Sequence, residues 1–305
     1  MSGFKNIEEI DTGELDPGYT KLKSRDLPYF TKDEGVEEIR DFFETYSGIP
    51  PDQLGQHIVE ITNESFSAEQ ALGYQSLSMH RSICIYCPLH HKALPLEGNR
   101  YLKETPDATF LDVGAYIAYD VRALHFAGIP SSTLNGTDLL PFWDLGYELF
   151  RDRDRFSATF CHGDILDFSE DSEAARMFDG NVDVVFCGAI IHQFEWERGV
   201  LACKRLLKYA RKSSGAMIAG NLVGSNVAEG IEDFKKYTSG KYTGKNPVKH
   251  SAESIKRLWK QASEELGMDL PVEANWRTWE SIDAPKSCVV MGPDFGMLEF
   301  AVLVP

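Results

Sequence analysis

The feature that most constrains this chain is an apolar run that ends in Asp112-Val113-Gly114 and passes into a helical pattern from Val121. The whole segment reads Phe110-Leu-Asp-Val-Gly-Ala-Tyr-Ile-Ala-Tyr-Asp120. It predicts a strand, a tight turn and a helix, the entry to an α/β nucleotide-type fold. Glycine suits such a turn because it permits positive φ and lets backbone approach a ligand with no Cβ in between. Gly114 is present, but Tyr116 and Ala118 stand where further glycines are expected.

From residue 108 short apolar runs alternate with helical patterns. Strands are expected near 108–113, 134–138, 158–162, 182–187 and 215–220, and helices near 119–127, 142–153, 170–178 and 196–212. Such alternation predicts a parallel sheet with helices on both faces. A helix over Ala252–Leu266 and strands at Val272–Trp279 and Met297–Val304 then suit an added antiparallel edge. Ahead of this domain, taken as 106–305, residues 1–30 read as an extended lead and 31–105 as a helical cap. Val36, Ile39, Phe42 and Phe43 make one apolar helix face over 32–46. Asp52 is expected to cap a second helix with Leu54, Ile58 and Ile61 inward.

The net charge of −16 argues against nucleic acid or an anionic membrane as partner, since both need a basic face. No run of about 20 apolar residues predicts a membrane span, and the start lacks a signal peptide's apolar core. A cytoplasmic protein with free thiols at Cys84, Cys87, Cys161, Cys187, Cys203 and Cys288 is expected. Cys84 and Cys87 with His90 and His91 have half of a zinc-site spacing. No second pair completes it, so no metal is expected.

In an open α/β sheet, ligands bind at the carboxyl ends of the strands. The second expected strand ends at Asp138, whose carboxylate can accept from both ribose hydroxyls of a nucleoside. The third ends near Asp164 and Ile165, an acceptor for an adenine amino group and an apolar contact for its ring. The fourth ends at Cys187 and leads to His192. Acids at successive strand ends, after a glycine turn, point to an adenosyl-type ligand. A dinucleotide fits less well, because the turn lacks the glycines that admit a pyrophosphate.

Several segments resemble the fungal methyltransferases of polyketide and meroterpenoid biosynthesis that use S-adenosylmethionine (SAM), the austinol-pathway type. They are Tyr46-Ser-Gly-Ile-Pro-Pro51, Leu145-Gly-Tyr-Glu-Leu-Phe-Arg-Asp-Arg153, Asp164-Ile-Leu-Asp167, His192-Gln-Phe-Glu-Trp196, Cys203-Lys-Arg-Leu-Leu-Lys208 and the stretch from His250 to Trp259. The resemblance implies a class I methyltransferase-like (Rossmann-like) seven-stranded sheet of order 3-2-1-4-5-7-6 under an N-terminal helical cap. It implies SAM as cofactor, held by Asp112, Gly114, Ala115, Asp120, Asp138, Leu139, Asp164, Ile165 and Cys187, with Tyr46 of the cap over the pocket. Asp120 and Arg122 match an Asp and an Arg that follow the family's turn. Tyr116 and Ala118 depart from its glycine pattern.

The expected substrate is a small molecule and the expected assembly a monomer or homodimer. Two chemistries stay open. One is methyl transfer to a carboxylate, hydroxyl or activated carbon, with His192 as base for the latter two. The other is a mass-neutral cyclisation, isomerisation or pericyclic step in the same pocket, with His192, Tyr116 and Tyr119 as acid–base candidates.

Overall fold

Seven strands form one mixed sheet in the order β3-β2-β1-β4-β5-β7-β6. The computed structural model describes residues 42–54, 56–58, 60–61, 96–140, 142–212, 215–231, 247–282 and 292–304. The strands are β1 (Phe110–Val113), β2 (Leu134–Asp138), β3 (Thr159–His162), β4 (Val184–Gly188), β5 (Ala216–Ser225), β6 (Val272–Thr278) and β7 (Phe295–Val304). The first five run parallel, and β7 is antiparallel to both of its neighbours. This is the expected class I order.

Contacts divide the chain into two compact units, residues 89–141 with 156–305 and residues 1–88 with 142–155. In the first, the helices are α1 (Leu96–Glu104) and α2 (Tyr119–Phe126); α3 (Trp143–Phe150) lies in the second; α4 (Glu173–Phe178), α5 (Trp196–Tyr209) and α6 (Ala252–Glu264) return to the first.

Central position explains composition. Every residue of β4 and of β5 is buried, as expected of strands covered on both faces. The edge strand β6 instead alternates half-buried and exposed residues over most of its length. On one face Leu111, Val113, Val185, Cys187, Ile218 and Leu222 pack against the inner sides of α4, α5 and α6. Gly199 allows α5 to lie close to α6, since a Cβ there would meet Leu258 Cδ1 at 3.3 Å. Ser251 starts α6 with a capping box: its Oγ accepts from Ser254 N at 3.0 Å, and Ser254 Oγ accepts from Ser251 N at 2.9 Å.

β5 continues five residues beyond its expected end. Asn221 and Gly224 interrupt the apolar run, but pairing with β7 from Ala216↔Val304 to Ser225↔Phe295 carries the strand through them. The stop of α3 has a local cause, because Arg151 takes a left-handed conformation at φ 50°.

Grouping by contacts runs differently from the boundaries expected from the alternation. Residues 142–155, which the alternation assigns to the sheet domain, group with the N-terminal residues, and residues 89–105, assigned to the cap, group with the sheet. Phe43 stacks on Phe150 at 5.3 Å, and His57 Nε2 bonds the Leu149 carbonyl at 3.0 Å. Asp52 lies inside a helix rather than at its cap. The helical residues begin at Pro51, a position that needs no amide donor, and Leu54 N bonds Pro50 O at 3.1 Å. Cys84, Cys87, His90, His91 and Cys288 lie outside the described residues, while Cys161, Cys187 and Cys203 are buried free thiols. Among the described residues, no helix is long and apolar enough to cross a membrane.

Candidate active site

The strand order reverses between β1 and β4, so a crevice lies outside their carboxyl ends. Two turns meet there. The first runs from Gly114 to Ala118. Its backbone takes positive φ at Gly114 (82°), Tyr116 (50°) and Ala118 (57°). A left-handed conformation costs a residue with a Cβ about 1–2 kcal/mol. Tyr116 and Ala118 thus hold the backbone shape that glycine adopts without strain.

Three sets of bonds hold that shape. Gly114 N and Ala115 N donate to Thr137 O at 2.8 and 3.2 Å. Tyr116 N donates to Asp138 Oδ2 at 2.8 Å, while Leu140 N donates to Asp138 Oδ1 at 2.9 Å. Arg122, fully buried over the Phe156 ring, reaches back from α2 and donates to the Ile117 and Ala118 carbonyls at 2.8 and 3.2 Å. Ala118 offers no side-chain cap to the first amides of α2, and its carbonyl accepts from the backbone N–H of Arg122 at 3.3 Å as well as from the Arg122 guanidinium.

The second turn follows β4. Ala189 is also left-handed at φ 56°, and its N–H donates to Asn221 O at 2.8 Å. A one-turn helix over Ile191–Gln193 then carries His192, which is half-buried. Ile190 lies against the first turn: a Cβ on Gly114 would stand 2.4 Å from Ile190 Cδ1. Gly114 is therefore required for contact between the turns as well as for its φ.

Ala189 is half-exposed, so its methyl group contributes little burial. Ala189→Gly is expected to raise unfolding free energy by about 0.5–1 kcal/mol through relief of the left-handed strain. Urea melts of the two proteins check this, and a loss of stability would mean that the methyl group packs usefully.

The carboxylates share one electrostatic theme. Burial, followed by the charges of Asp120 and Asp138, pushes Asp112 well above the usual carboxylate range. Burial also raises Asp138 to about 6, against the opposing effect of its backbone donors and of His162. Asp164 accepts from Leu166 N at 2.8 Å through Oδ1, and Ile165 packs against the apolar core beside it. Leu139 is 40 % exposed at the end of β2. Tyr119 is buried at the start of α2, and Tyr116 and Asp120 are half-buried.

Cys187 points into the core rather than the crevice, and burial next to Asp112 pushes its thiol upward. Its backbone is the part left to line a site. Tyr46 belongs to the other unit, stacked on Phe42, with its hydroxyl donating to Asp152 Oδ2 at 2.7 Å and Arg155 over its ring. That hydroxyl is already bound within its own unit.

A model of the meroterpenoid methyltransferase N-terminal domain matches residues 29–70. O-methyltransferase phiE of a fungal species is 29 % identical over 84 % of this chain and 81 % of its own length. Asnovolin E/Chermesin D methyltransferase nvfJ of Aspergillus novofumigatus is 26 % identical over 83 % of this chain and 84 % of its own. The chain is similar, over most of its length, to fungal methyltransferases named for polyketide and meroterpenoid biosynthesis. A solved structure of Haemonchus contortus phosphoethanolamine N-methyltransferase 2 with SAM aligns at a TM-score of 0.46 with 15 % identity, over 75 % of this chain and 58 % of that one.

Sequence reasoning missed three residues around the crevice. Ala189 carries no motif signal, since only its φ marks it. Asn221 is buried on β5 beside Gly188, and its side-chain amide nitrogen has no bonding partner among the described residues. Lys249 is buried and donates to the His192 carbonyl at 3.1 Å. A lysine one residue before a segment shared with the family was the available clue.

Proposed function

We propose that this methyltransferase binds SAM at the β1/β4 crevice and methylates a carboxylate, hydroxyl or activated carbon of a small polyketide- or terpenoid-type acceptor. The observation that carries the reading is the retained positive-φ backbone at Tyr116 and Ala118, with the Tyr116 amide held by Asp138. Two glycines are gone, and the shape they serve remains.

The donor set fits the cofactor. A carboxylate has about four acceptor positions. Asp138 accepts the Tyr116 amide on Oδ2 and the Leu140 amide on Oδ1, and its remaining acceptor capacity would serve the ribose hydroxyls. Asp164 keeps Oδ2 for an adenine amino group, with Ile165 against the ring. The backbone at Gly114, Ala115, Leu139 and Cys187 would line the crevice, and Asp112 with Asp120 would supply negative charge at the aminoacyl end. When bound, SAM supplies a methyl group on a sulfonium leaving group.

The chain's own residues then need only orient the acceptor and manage one proton. A carboxylate acceptor is already ionised at neutral pH and needs no base. For a hydroxyl or carbon acid, His192 takes the proton. The name of phiE specifies an oxygen acceptor, which favours the carboxylate or hydroxyl case.

Titration calorimetry of nucleotide-stripped protein with SAM and S-adenosylhomocysteine, followed by a mass-spectrometric acceptor screen, tests this reading. Micromolar binding and a product heavier by one methyl group are expected. No binding of either compound, with products of unchanged mass, would replace it by the mass-neutral chemistry in which Tyr116 and Tyr119 act with His192.

Affinity for S-adenosylhomocysteine is expected to depend on pH in a defined direction. Ribose hydroxyls donate to the ionised form of Asp138, so binding favours deprotonation. Affinity should fall as pH drops through about 6, by up to about tenfold per unit. Asp112, also raised, acts in the same direction. Asp138→Asn should flatten the Asp138 part of the profile, which titrations at several pH values check.

A further inference from the structure

We propose that Lys249 is a positioning residue for this site: its buried amino group pins the His192 turn from behind and, through Ile190, sets the Gly114 turn against which the cofactor binds. The proposal rests on the reading of the crevice given above. Its physical basis is a chain of contacts within the sheet unit.

The helix over Ile191–Gln193 is a single turn, so its carbonyls lack the partners a longer helix would give them. Lys249 supplies one donor, Nζ to His192 O at 3.1 Å. Its neighbour supplies another, Val248 N to Phe194 O at 2.9 Å. Two adjacent residues therefore tie down the middle and the C-terminal end of the segment that carries His192.

Lys249 is itself rigidly mounted. Its backbone N–H and carbonyl both bond Ile231, at 3.0 Å each. The carbonyl of His250 accepts from Ser225 N at 2.8 Å, at the end of β5. Ser251 then starts α6 with its capping box and donates from Oγ to Ala228 O at 2.6 Å. The anchor is thus fixed to the sheet and to a helix start, while the turn it holds abuts Gly114 through Ile190.

Energetics points the same way. Lys249 is 6 % exposed, and burial lowers its ammonium to about 7. Burying an amino group is unfavourable for folding, and a well-packed apolar side chain of similar volume is commonly neutral or stabilising in such a place. Fold stability does not explain a lysine here; the carbonyl it holds does.

The test compares wild type with Lys249→Met and Lys249→Arg by three readouts: thermal melting, titration with S-adenosylhomocysteine, and hydrogen exchange of the peptide covering 189–194. Lys249→Met should melt at or above the wild-type temperature. It should also bind about tenfold more weakly and exchange about tenfold faster in that peptide, the effect of one lost hydrogen bond of roughly 1–1.5 kcal/mol. Lys249→Arg keeps an N–H donor and should recover most of both effects. Unchanged binding and exchange in Lys249→Met would overturn the proposal. So would parallel losses of melting temperature and affinity that arginine fails to recover, since these mark a merely structural lysine. Wild-type protein that binds no S-adenosylhomocysteine would instead sink the methyl-transfer reading, and the exchange readout would still decide whether Lys249 pins the turn.

Discussion

Asp138→Ala is expected to lower affinity for S-adenosylhomocysteine by at least about 100-fold, or roughly 2.7 kcal/mol. Two losses combine. The first is a pair of hydrogen bonds from ribose hydroxyls to a charged acceptor, each worth about 1.5–3 kcal/mol. The second is the support of the turn itself, because Asp138 receives Tyr116 N on one oxygen and Leu140 N on the other. Removing the carboxylate leaves both amides without this acceptor and frees Tyr116 from its left-handed conformation, which then relaxes.

Stability should change less than affinity. The lost hydrogen bonds are offset by removal of a carboxylate that burial already destabilises, as its rise to about 6 shows. Calorimetric titration and a urea melt on the same preparation separate the two effects. Affinity retained within about threefold, a change of under 1 kcal/mol, would place the nucleoside away from β2.

Gly114→Ala is expected to cost about 2–5 kcal/mol of stability and to abolish detectable cofactor binding. The sum has two independent parts. A Cβ at φ 82° carries about 1–2 kcal/mol of backbone strain. The same Cβ would sit 2.4 Å from Ile190 Cδ1 and 2.5 Å from Cγ1, and overpacking of this kind costs about 1–3 kcal/mol. The parts can be separated. Adding Ile190→Ala should restore the packing part and leave the backbone part. The double variant should therefore be more stable than the sum of the two single changes predicts, a coupling that urea melts of all four proteins measure. Strict additivity would mean that the two turns do not bear on each other.

The parallel core was legible because its signals are local. β1 and β4 are short, mostly apolar segments at Gly114 and Gly188, while β2 and β3 stop at Asp138 and His162, and segments this short between helical patterns read as strands. The strand order came from family resemblance, since alternation fixes parallel pairing but not sequence of neighbours. β5 runs five residues past the end that its apolar pattern predicts, because its second half is strand only through the partner β7 supplies. Residues 142–155 show the same limit. Their pattern is that of any amphipathic helix, and tertiary contacts such as Phe43 on Phe150, Tyr46 on Asp152 and His57 on the Leu149 carbonyl assign them to the N-terminal unit.

The site divides in the same way. The sequence by itself determined that acids stand at the ends of β2 and β3, that a glycine turn follows β1, and that a histidine follows β4, because strand ends can be counted along the chain. Tertiary structure alone decided the rest. It set Tyr116 and Ala118 in left-handed backbone, which depends on Asp138, Thr137 and Arg122 holding the turn from outside it. It turned Cys187 into the core and gave the Tyr46 hydroxyl to Asp152. It also brought Lys249 to the His192 carbonyl, 57 positions away in sequence. A single sequence encodes local periodicity directly, whereas a donor meets a distant carbonyl only after the sheet has formed.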